Sequence, residues 1–587
     1  MARRWEVAGG EETGGILVRL GEDLKSPAAA NRLECGSNVE QIELKGQRLH
    51  YKLLTGTGPK EGWVSLKLKG KDLLVEKVES RSGSKKASEN VGIDKMIARH
   101  HAEANFSALY QYDEKKSMLG EGGFATVFEA LHKGTKDKRA VKKISFRRQS
   151  ELEALDSELK ILIKLDHPNI MKFYEYFQEP KLIYLVTELC IGGTFVSYFE
   201  GSMWDAEDAR ILFKDVVSAV HYCHTNNVLH RDIKPENCLI DEPDGRPVAK
   251  VIDFGVSKIM QSSKKTEDAE HERTGTPFYR APEVIDSNAS YGPKSDMFSV
   301  GVMLFLCLTG THPLHGSSFH GAAIGCEENP QMYDFDDGPL EDEDVAEKPR
   351  DLIFKLMEKD KNKRFSAHDA LGHPWLEPPT TKKFKKSGKS TRMRESCGGL
   401  SAEVVKGMTA QKRVQKEAEI ILKRATNFKS LDSFHAAILR LIAHHSHASE
   451  VASLREHFAR VDTDQSGTVD KGELKTSMKA SGMDVSEEDL AEIFDALDTH
   501  GKGEIRYSEW IAATMKPDIV KAESSVNEVW CFFDTDNSGE ISFDEIKAVL
   551  GPDVAQQCMD KAGKKSLTKK CFQEYMNLLA EEAKEAA

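Results

Sequence analysis

The string His230-Arg231-Asp232-Ile233-Lys234-Pro235-Glu236-Asn237 sets a carboxylate, an ammonium and an amide at the spacing Asp-x-Lys-x-x-Asn, and a further carboxylate follows in Asp253-Phe254-Gly255. Phosphoryl transfer needs positioning and charge neutralisation more than covalent chemistry. Asp232 would accept a substrate hydroxyl proton and hold that oxygen in line. Lys234 can sit on the γ-phosphate, and Asn237 and Asp253 would hold magnesium. Upstream, Leu119-Gly120-Glu121-Gly122-Gly123-Phe124-Ala125-Thr126-Val127 is a glycine-rich loop whose backbone can close over phosphates and point N–H groups at them. Such a loop is a weak signal alone. Here Ala140-Val141-Lys142 follows on a predicted strand, so Lys142 can hold the α/β-phosphates, with Glu158 of a helical pattern as its ion-pair partner.

A second chemistry lies more than two hundred residues beyond Asp232. A twelve-residue calcium loop needs oxygens at positions 1, 3, 5, 7 and 12 and glycine at 6. Asp462, Asp464, Ser466, Gly467, Thr468 and Glu473 satisfy all six, as do Asp534, Asp536, Ser538, Gly539, Glu540 and Glu545. Thr468 and Glu540 would contribute backbone carbonyls. The stretch from Asp498 to Glu509 keeps the frame but carries His500 and Lys502 at positions 3 and 5. The stretch from Asp560 to Cys571 has Lys564 at position 5, Lys565 for the glycine and Cys571 for the acid. An ammonium in a cation site is electrostatically wrong, so these two are expected to be structural hands, each folded by packing on a competent neighbour.

The elements that must position these residues can be placed coarsely. The chain has 587 residues, 39% hydrophobic and 30% charged, and a net charge of −13. It is long enough for several domains, and its acidity argues against nucleic acid as the main partner. The 10 cysteines have no CxxC pairing and read as reduced thiols. The apolar run near Val300 to Leu308 is too short to span a bilayer, and Ala2 excludes an N-myristoylation signal. Residues from about Gly15 to Val78 look β-rich. Gly15 to Leu20 and Ser65 to Lys69 read as strands, and Gly46, Gly56, Gly58 and Gly62 as turns. Gly62-Trp63-Val64-Ser65 resembles the middle strand of SH3-like barrels. Ligand-binding module and plain structural addition both remain open. The stretch from Ser80 to Asn90 suits a linker, Thr380 to Arg394 is rich in Lys and Arg, and a helical stretch runs from about Val404 to His447.

With these residues in place, the region from Tyr110 to Trp375 resembles a protein kinase domain of the calcium/calmodulin-regulated branch. The order around Asp232 is similar to that of serine/threonine kinases. The resemblance implies that Glu283, in Ala281-Pro282-Glu283, pairs with Arg364. It implies further that Asp296 braces the catalytic loop, that Thr187 is the gatekeeper and that Glu188 to Cys190 form the adenine-binding hinge. Three positions depart from the family: Ala125 for the third loop glycine, Phe298 for a tryptophan, and Thr194 for an acid that meets substrate arginine, although Glu236 keeps another acid in the peptide cleft. Glu272 falls at the usual activation-segment phosphosite, where a fixed carboxylate can supply part of a phosphate's charge or be a solvated loop acid.

Kinase, basic junction and four calcium hands in this order resemble the calcium-dependent protein kinases of plants and protists. The resemblance runs from about Tyr110 to the C-terminus. It implies a bilobal protein kinase fold and an all-α EF-hand domain; with the small β-rich, SH3-like or merely structural, N-terminal module read from its strand pattern, the expected chain is α+β and multidomain. The expected division is a β-rich module at 1–80, a linker at 81–109, the kinase domain at 110–375, a junction at 376–450 and a calmodulin-like domain at 451–587. Its hands fall at about 451–486, 487–520 and 523–556, with a degenerate fourth at 557–582. The implied function is ATP-dependent phosphorylation of protein Ser/Thr hydroxyls by a calcium-activated monomer, with ATP, Mg2+ and Ca2+ as cofactors. A pseudokinase scaffold is the alternative. The reduced thiols, the short apolar run and Ala2 lead to the expectation of a cytoplasmic chain without a membrane anchor, with the nucleus open. In the family the junction blocks the substrate cleft until calcium withdraws it. The run Lys382-Lys383-Phe384-Lys385-Lys386 fits that block, and equally a solvated or nuclear-targeting insert. The stripe Ala436, Ile438, Leu439, Leu441, Ile442 is the candidate for the helix that the hands grip.

Overall fold

The computed structural model describes residues 4–7, 16–21, 23, 26–33, 37–45, 48–55, 57–68, 71–72, 74–77, 99–101, 105–121, 125–198, 204–242, 246–254, 258–259, 276–285, 291–310, 312–313, 343–377, 410–483 and 485–585. Gly122, Gly123, Phe124, Gly255, Glu272, the Lys382–Lys386 run and the stretch from Ser80 to Asn90 lie outside the described residues.

The chain divides into two units, 1–87 and 88–587. In the first, five antiparallel strands lie in the order Glu61–Ser65, Arg48–Thr55, Asn38–Lys45, Arg4–Val7, Leu74–Lys77. Trp5, Val7, Val39, Leu49, Tyr51, Val64 and Leu74 form its core. Two expectations are corrected here. Gly62 is not in a turn but in a strand, where a Cβ would come within 2.4 Å of the Val18 side chain. Residues 16–20 make isolated bridges from Ile16 and Arg19 rather than a strand.

The second unit begins with a seven-stranded sheet. Its main order is Met118–Glu121, Ala125–His132, Lys138–Ser145, Leu182–Thr187, Phe173–Glu179, Arg99–His101, and Tyr110–Tyr112 pairs with Ala125–His132. Lys142 lies opposite Val127 and Leu185, so register alone carries it under the glycine loop. Part of the expected linker is built into this lobe. Arg99–His101 pairs in parallel with Phe173–Glu179, and the turn of helix Phe106–Leu109 buries Phe106 among Tyr110, Phe128, Phe177 and Tyr184. The aromatic side chain had no polar alternative, so burial overrode the linker composition around it.

The larger lobe packs helices Ala206–Thr225, Pro293–Thr309 and Glu343–Leu356 around one apolar core. Pro293–Thr309 is buried on nearly every side, which is why its sequence is an apolar run rather than an amphipathic stripe. The expected helical junction is two helices, Ala410–Phe428 and Ser433–His445, broken where the Asp432 side chain accepts from the His435 N–H and starts the second. Four helix–loop–helix hands follow. They are joined in pairs by the short ladders Thr468–Val469 with Ile505–Arg506 and Glu540–Ser542 with Ser566–Thr568.

Candidate active site and calcium centres

Asp232 and its neighbours form one hydrogen-bonded group. Asp232 Oδ1 accepts from the backbone N and the hydroxyl of Thr276, both at 2.8 Å. Its Oδ2 lies 2.8 Å from Lys234 Nζ and accepts from Asn237 Nδ2 at 3.0 Å. Lys234 also donates to the Thr276 hydroxyl at 2.8 Å. Burial would raise the Asp232 pKa, but Lys234 and Thr276 outweigh it and hold the carboxyl below its ordinary value. A group kept anionic while aimed at a hydroxyl can orient that hydroxyl and take its proton. Thr276 is a functional neighbour that the sequence did not reveal, since nothing in its type signals two bonds to Asp232.

Across the cleft, Lys142 Nζ lies 3.6 Å from Glu158 and 2.9 Å from Asp253. Burial pushes the ammonium down, but the two carboxylates reverse this and raise its pKa. Glu158 is itself pushed up, by burial first and then by Asp253. The backbone of the loop is held under strain. Arg231 and Asp253 have φ of 71° and 65°, a region that costs about 1–3 kcal/mol outside glycine. The buried Asp296 explains how Arg231 stays there. It accepts from the N–H groups of His230 and Arg231 at 3.0 and 2.8 Å, from Tyr291 at 2.6 Å and from His224 at 2.9 Å. Arg364 makes a two-point pair with Glu283 at 2.6 and 2.9 Å. At the hinge, the Glu188 carboxylate takes Lys250 at 2.9 Å and the Lys172 N–H at 2.7 Å, while the thiol of Cys190 is pushed up by burial.

In each complete calcium loop the acidic oxygens converge. Those of Asp462, Asp464 and Glu473 lie within 4.8 Å of one another, and so do those of Asp534, Asp536 and Glu545. Burial, and then Glu473 and Asp464, push Asp462 up to about 7. Asp534 Oδ1 is buried without a hydrogen-bond partner. Crowded carboxylates and an orphaned acceptor are what a divalent cation satisfies, so both donor sets fit calcium. The Ser466 and Ser538 side chains hydrogen-bond within their loops, to the carbonyls of Thr468 and Glu540. The other two loops are closed from within. His500 Nδ1 pairs with Glu509 at 2.8 Å, and Lys564 Nζ donates to Cys571 Sγ at 2.6 Å.

The hands grip the junction helix and the kinase together. Ile438, Leu439, Leu441 and Ile442 are buried in one core with the hands, against helices Tyr507–Thr514, Glu523–Phe533 and Pro552–Ala562, while Ala436 packs at its margin. The end of the junction helix meets the back of the hinge. Lys172 Nζ donates to the carbonyls of Ala443 and Ser446, each at 3.3 Å, and His444 Nε2 donates to the Phe173 carbonyl at 2.9 Å. Ser508 donates to Asp166 at 2.9 and 2.6 Å, and Arg246 pairs with Glu456 at 2.6 Å. Gly467, at φ 81°, is pressed on the kinase: a Cβ there would meet the rings of His167 and Tyr222 at 2.5 and 2.6 Å. Two requirements, the loop turn and this close approach, thus fall on one glycine. The contacts with the kinase left no sequence signal, because their partners lie hundreds of residues apart.

A bilobal phosphoryl-transfer fold joined to two pairs of EF-hands defines a calcium-regulated class of protein kinase. Comparison agrees: the protein kinase domain family matches residues 113–376, the EF-hand domain pair 451–515 and the EF hand family 532–550. Calcium-dependent protein kinase 12 of Oryza sativa subsp. japonica is 30% identical over 401 residues, which cover 67% of each chain. Calcium-dependent protein kinase 4 of Plasmodium falciparum (isolate 3D7) is 30% identical over 438 residues, 73% of this chain and 76% of that protein. Calcium-dependent protein kinase 2 of Arabidopsis thaliana is 29% identical over 67% of this chain and 55% of its own length. The chain belongs to the calcium-dependent protein kinase family.

Proposed function

We propose that this chain transfers the γ-phosphate of ATP to serine and threonine hydroxyls of protein substrates and is switched on by calcium through its own EF-hands. The observation that carries the reading is the Asp232–Lys234–Asn237–Thr276 group facing the Lys142–Glu158–Asp253 group. Asp232 orients the substrate hydroxyl and takes its proton, Lys234 meets the transferred phosphoryl, and Lys142, held by Glu158, anchors the phosphates behind it. Asn237 and Asp253 are the residues that would hold Mg2+, which neutralises charge on the phosphates. Retention of every one of these groups disfavours the scaffold alternative.

The seat of the sensor supports a particular form of regulation. The described part of the junction lies against Lys172 and Phe173 at the back of the hinge. The docked hands touch both lobes there, so calcium would act by bracing an active arrangement.

The test is phosphorylation of a Ser/Thr peptide library by the full chain, with calcium and with chelator. Phosphate transfer should require calcium, and Asp232→Asn should lower kcat by about 10²–10⁴-fold while nucleotide binding survives. Near-normal turnover in Asp232→Asn would show that Asp232 is not the base.

A further inference from the structure

The two complete calcium loops share a turn, but the turns sit in different surroundings. Gly467 and Gly539, at position 6 of each loop, have φ of 81° and 82°. A Cβ on Gly539 would meet nothing within 4 Å, whereas one on Gly467 would strike the His167 and Tyr222 rings at 2.5 and 2.6 Å. Those rings are held in place. They are 4% and 1% exposed and stack with centroids 5.0 Å apart. His167 Nδ1 accepts from the Asn169 N–H, and the Tyr222 hydroxyl accepts from the Asp166 N–H, each at 3.1 Å. The Asp166 carboxylate in turn accepts from the N–H and the hydroxyl of Ser508 at 2.9 and 2.6 Å. Ser508 lies just beyond the strand Ile505–Arg506, which pairs with Thr468–Val469 of the first loop.

We propose, on the calcium-switch reading above, that Asp166, His167 and Tyr222 of the kinase are positioning residues of the first calcium site, which binds its cation tightly only while docked on them. The rings fix the turn of the loop, and Asp166 fixes the strand that pairs with it. The Gly467 N–H so placed donates to Asp462 Oδ2 at 3.0 Å and holds the position-1 carboxylate among the converged acids. A loop ordered beforehand loses less conformational entropy when its cation arrives. The linkage is reciprocal, so calcium at this loop strengthens docking by the same factor. The third loop meets the kinase differently, through Glu528 on its incoming helix and not through its turn. Its affinity is therefore set mainly within the sensor. Two loops with the same set of acids thus differ in whether the kinase surface completes them.

The experiment is calorimetric titration of the full chain with calcium, in two backgrounds that each leave one complete loop. Glu545→Gln leaves the first loop and Glu473→Gln leaves the third. Asp166→Ala changes only the kinase side of the contact. It should weaken calcium binding about tenfold in the Glu545→Gln chain and less than about twofold in the Glu473→Gln chain. Asp166→Asn keeps an acceptor for Ser508 and should restore most of the first-loop affinity. Third-loop binding that survives Asp166→Ala also shows that the sensor remains folded. An unchanged first-loop affinity in Asp166→Ala, an equal loss in both backgrounds, or no recovery in Asp166→Asn overturns the proposal. The readout is calcium binding and not phosphate transfer, so an inactive kinase leaves it intact. Absence of calcium binding in both backgrounds would instead overturn the calcium reading itself, and this inference with it.

Discussion

Arg139 and Glu528, 389 residues apart in the chain, meet at 2.5 Å with side chains only 4% and 12% exposed. Arg139 belongs to the strand that carries Lys142, three residues on. Glu528 belongs to the helix Glu523–Phe533, which ends at Asp534, position 1 of the third calcium loop. The guanidinium also lies 4.2 Å over the ring of Tyr174, which stacks on His445 of the junction helix. One buried contact therefore links a calcium loop, the gripped helix and the phosphate-anchoring strand.

Removing one partner of a buried pair leaves the other charge uncompensated, at a cost of about 3–5 kcal/mol. Arg139→Met should therefore loosen the seat of the sensor and cut calcium-stimulated turnover, since Glu528 and Asp137 lose their shared cation. Adding Glu528→Met should recover part of the loss. Activity at saturating calcium across the four proteins measures the coupling. A full additive loss in the double variant would mean that the two residues act independently.

The same seat gives a dependence on pH. His444 is held down to about 3, first by burial and then by Lys172, and His445 is held well below 6.5 by burial, His444 and Arg139. Glu188 faces His444 from the hinge and only partly offsets this, and His132 adds to the repulsion at His445. Depressed histidines contribute docking stability that is complete above their free pKa of 6.5 and lost as pH falls below it. At pH 5.5 each costs about 1.4 kcal/mol. Calcium-stimulated activity should thus fall between pH 7.5 and 5.5 as the sensor lifts off. His444→Gln keeps a donor for the Phe173 carbonyl and should flatten the profile. An identical profile in that variant would place the titration elsewhere.

Legibility followed the range of each interaction. Lys142, Asp232, Asn237, Asp253 and the two sets of calcium ligands were readable because their chemistry forces short, fixed spacings. The gripped stripe Ile438–Ile442 was readable because helical periodicity reports a buried face. Phe106 was lost in a polar stretch, as one aromatic residue makes no period. Thr276, Lys172 and the Arg139–Glu528 pair were invisible, because no local pattern records a partner that only the folded chain brings near. The degenerate loops stand out in the sequence as departures from the calcium frame, but their internal closures by His500 and Lys564 needed coordinates.

Those closures refine what the acidic twelfth residues should do. Glu473→Gln and Glu545→Gln each remove an anionic oxygen from a converged set and should weaken calcium activation. Calorimetry should count about two tight sites. Glu509 holds His500, Thr499 and the Arg506 N–H in a buried position. Glu509→Gln should therefore lower the melting temperature of the sensor without removing a calcium. Four tight sites in the parent chain, or a calcium lost on Glu509→Gln, would contradict the assignment.

Truncation after about Pro379 separates two models of the switch. A ligand shifts an equilibrium only through unequal affinity for its two states. If the junction plugs the cleft without calcium, the isolated kinase region is the free state and should be active in chelator. If the docked sensor braces the kinase, the same truncation removes Lys172's acceptors at Ala443 and Ser446, the His444 bond to Phe173 and the Glu528 partner of Arg139. It leaves Arg139 and Tyr174 facing water. The bracing reading expects a folded truncation with little turnover in calcium or chelator, and restored turnover when the fragment from Ala410 onward is added back with calcium. Melting curves establish folding, and turnover in the four conditions decides the outcome. A truncation active in chelator would end the bracing model.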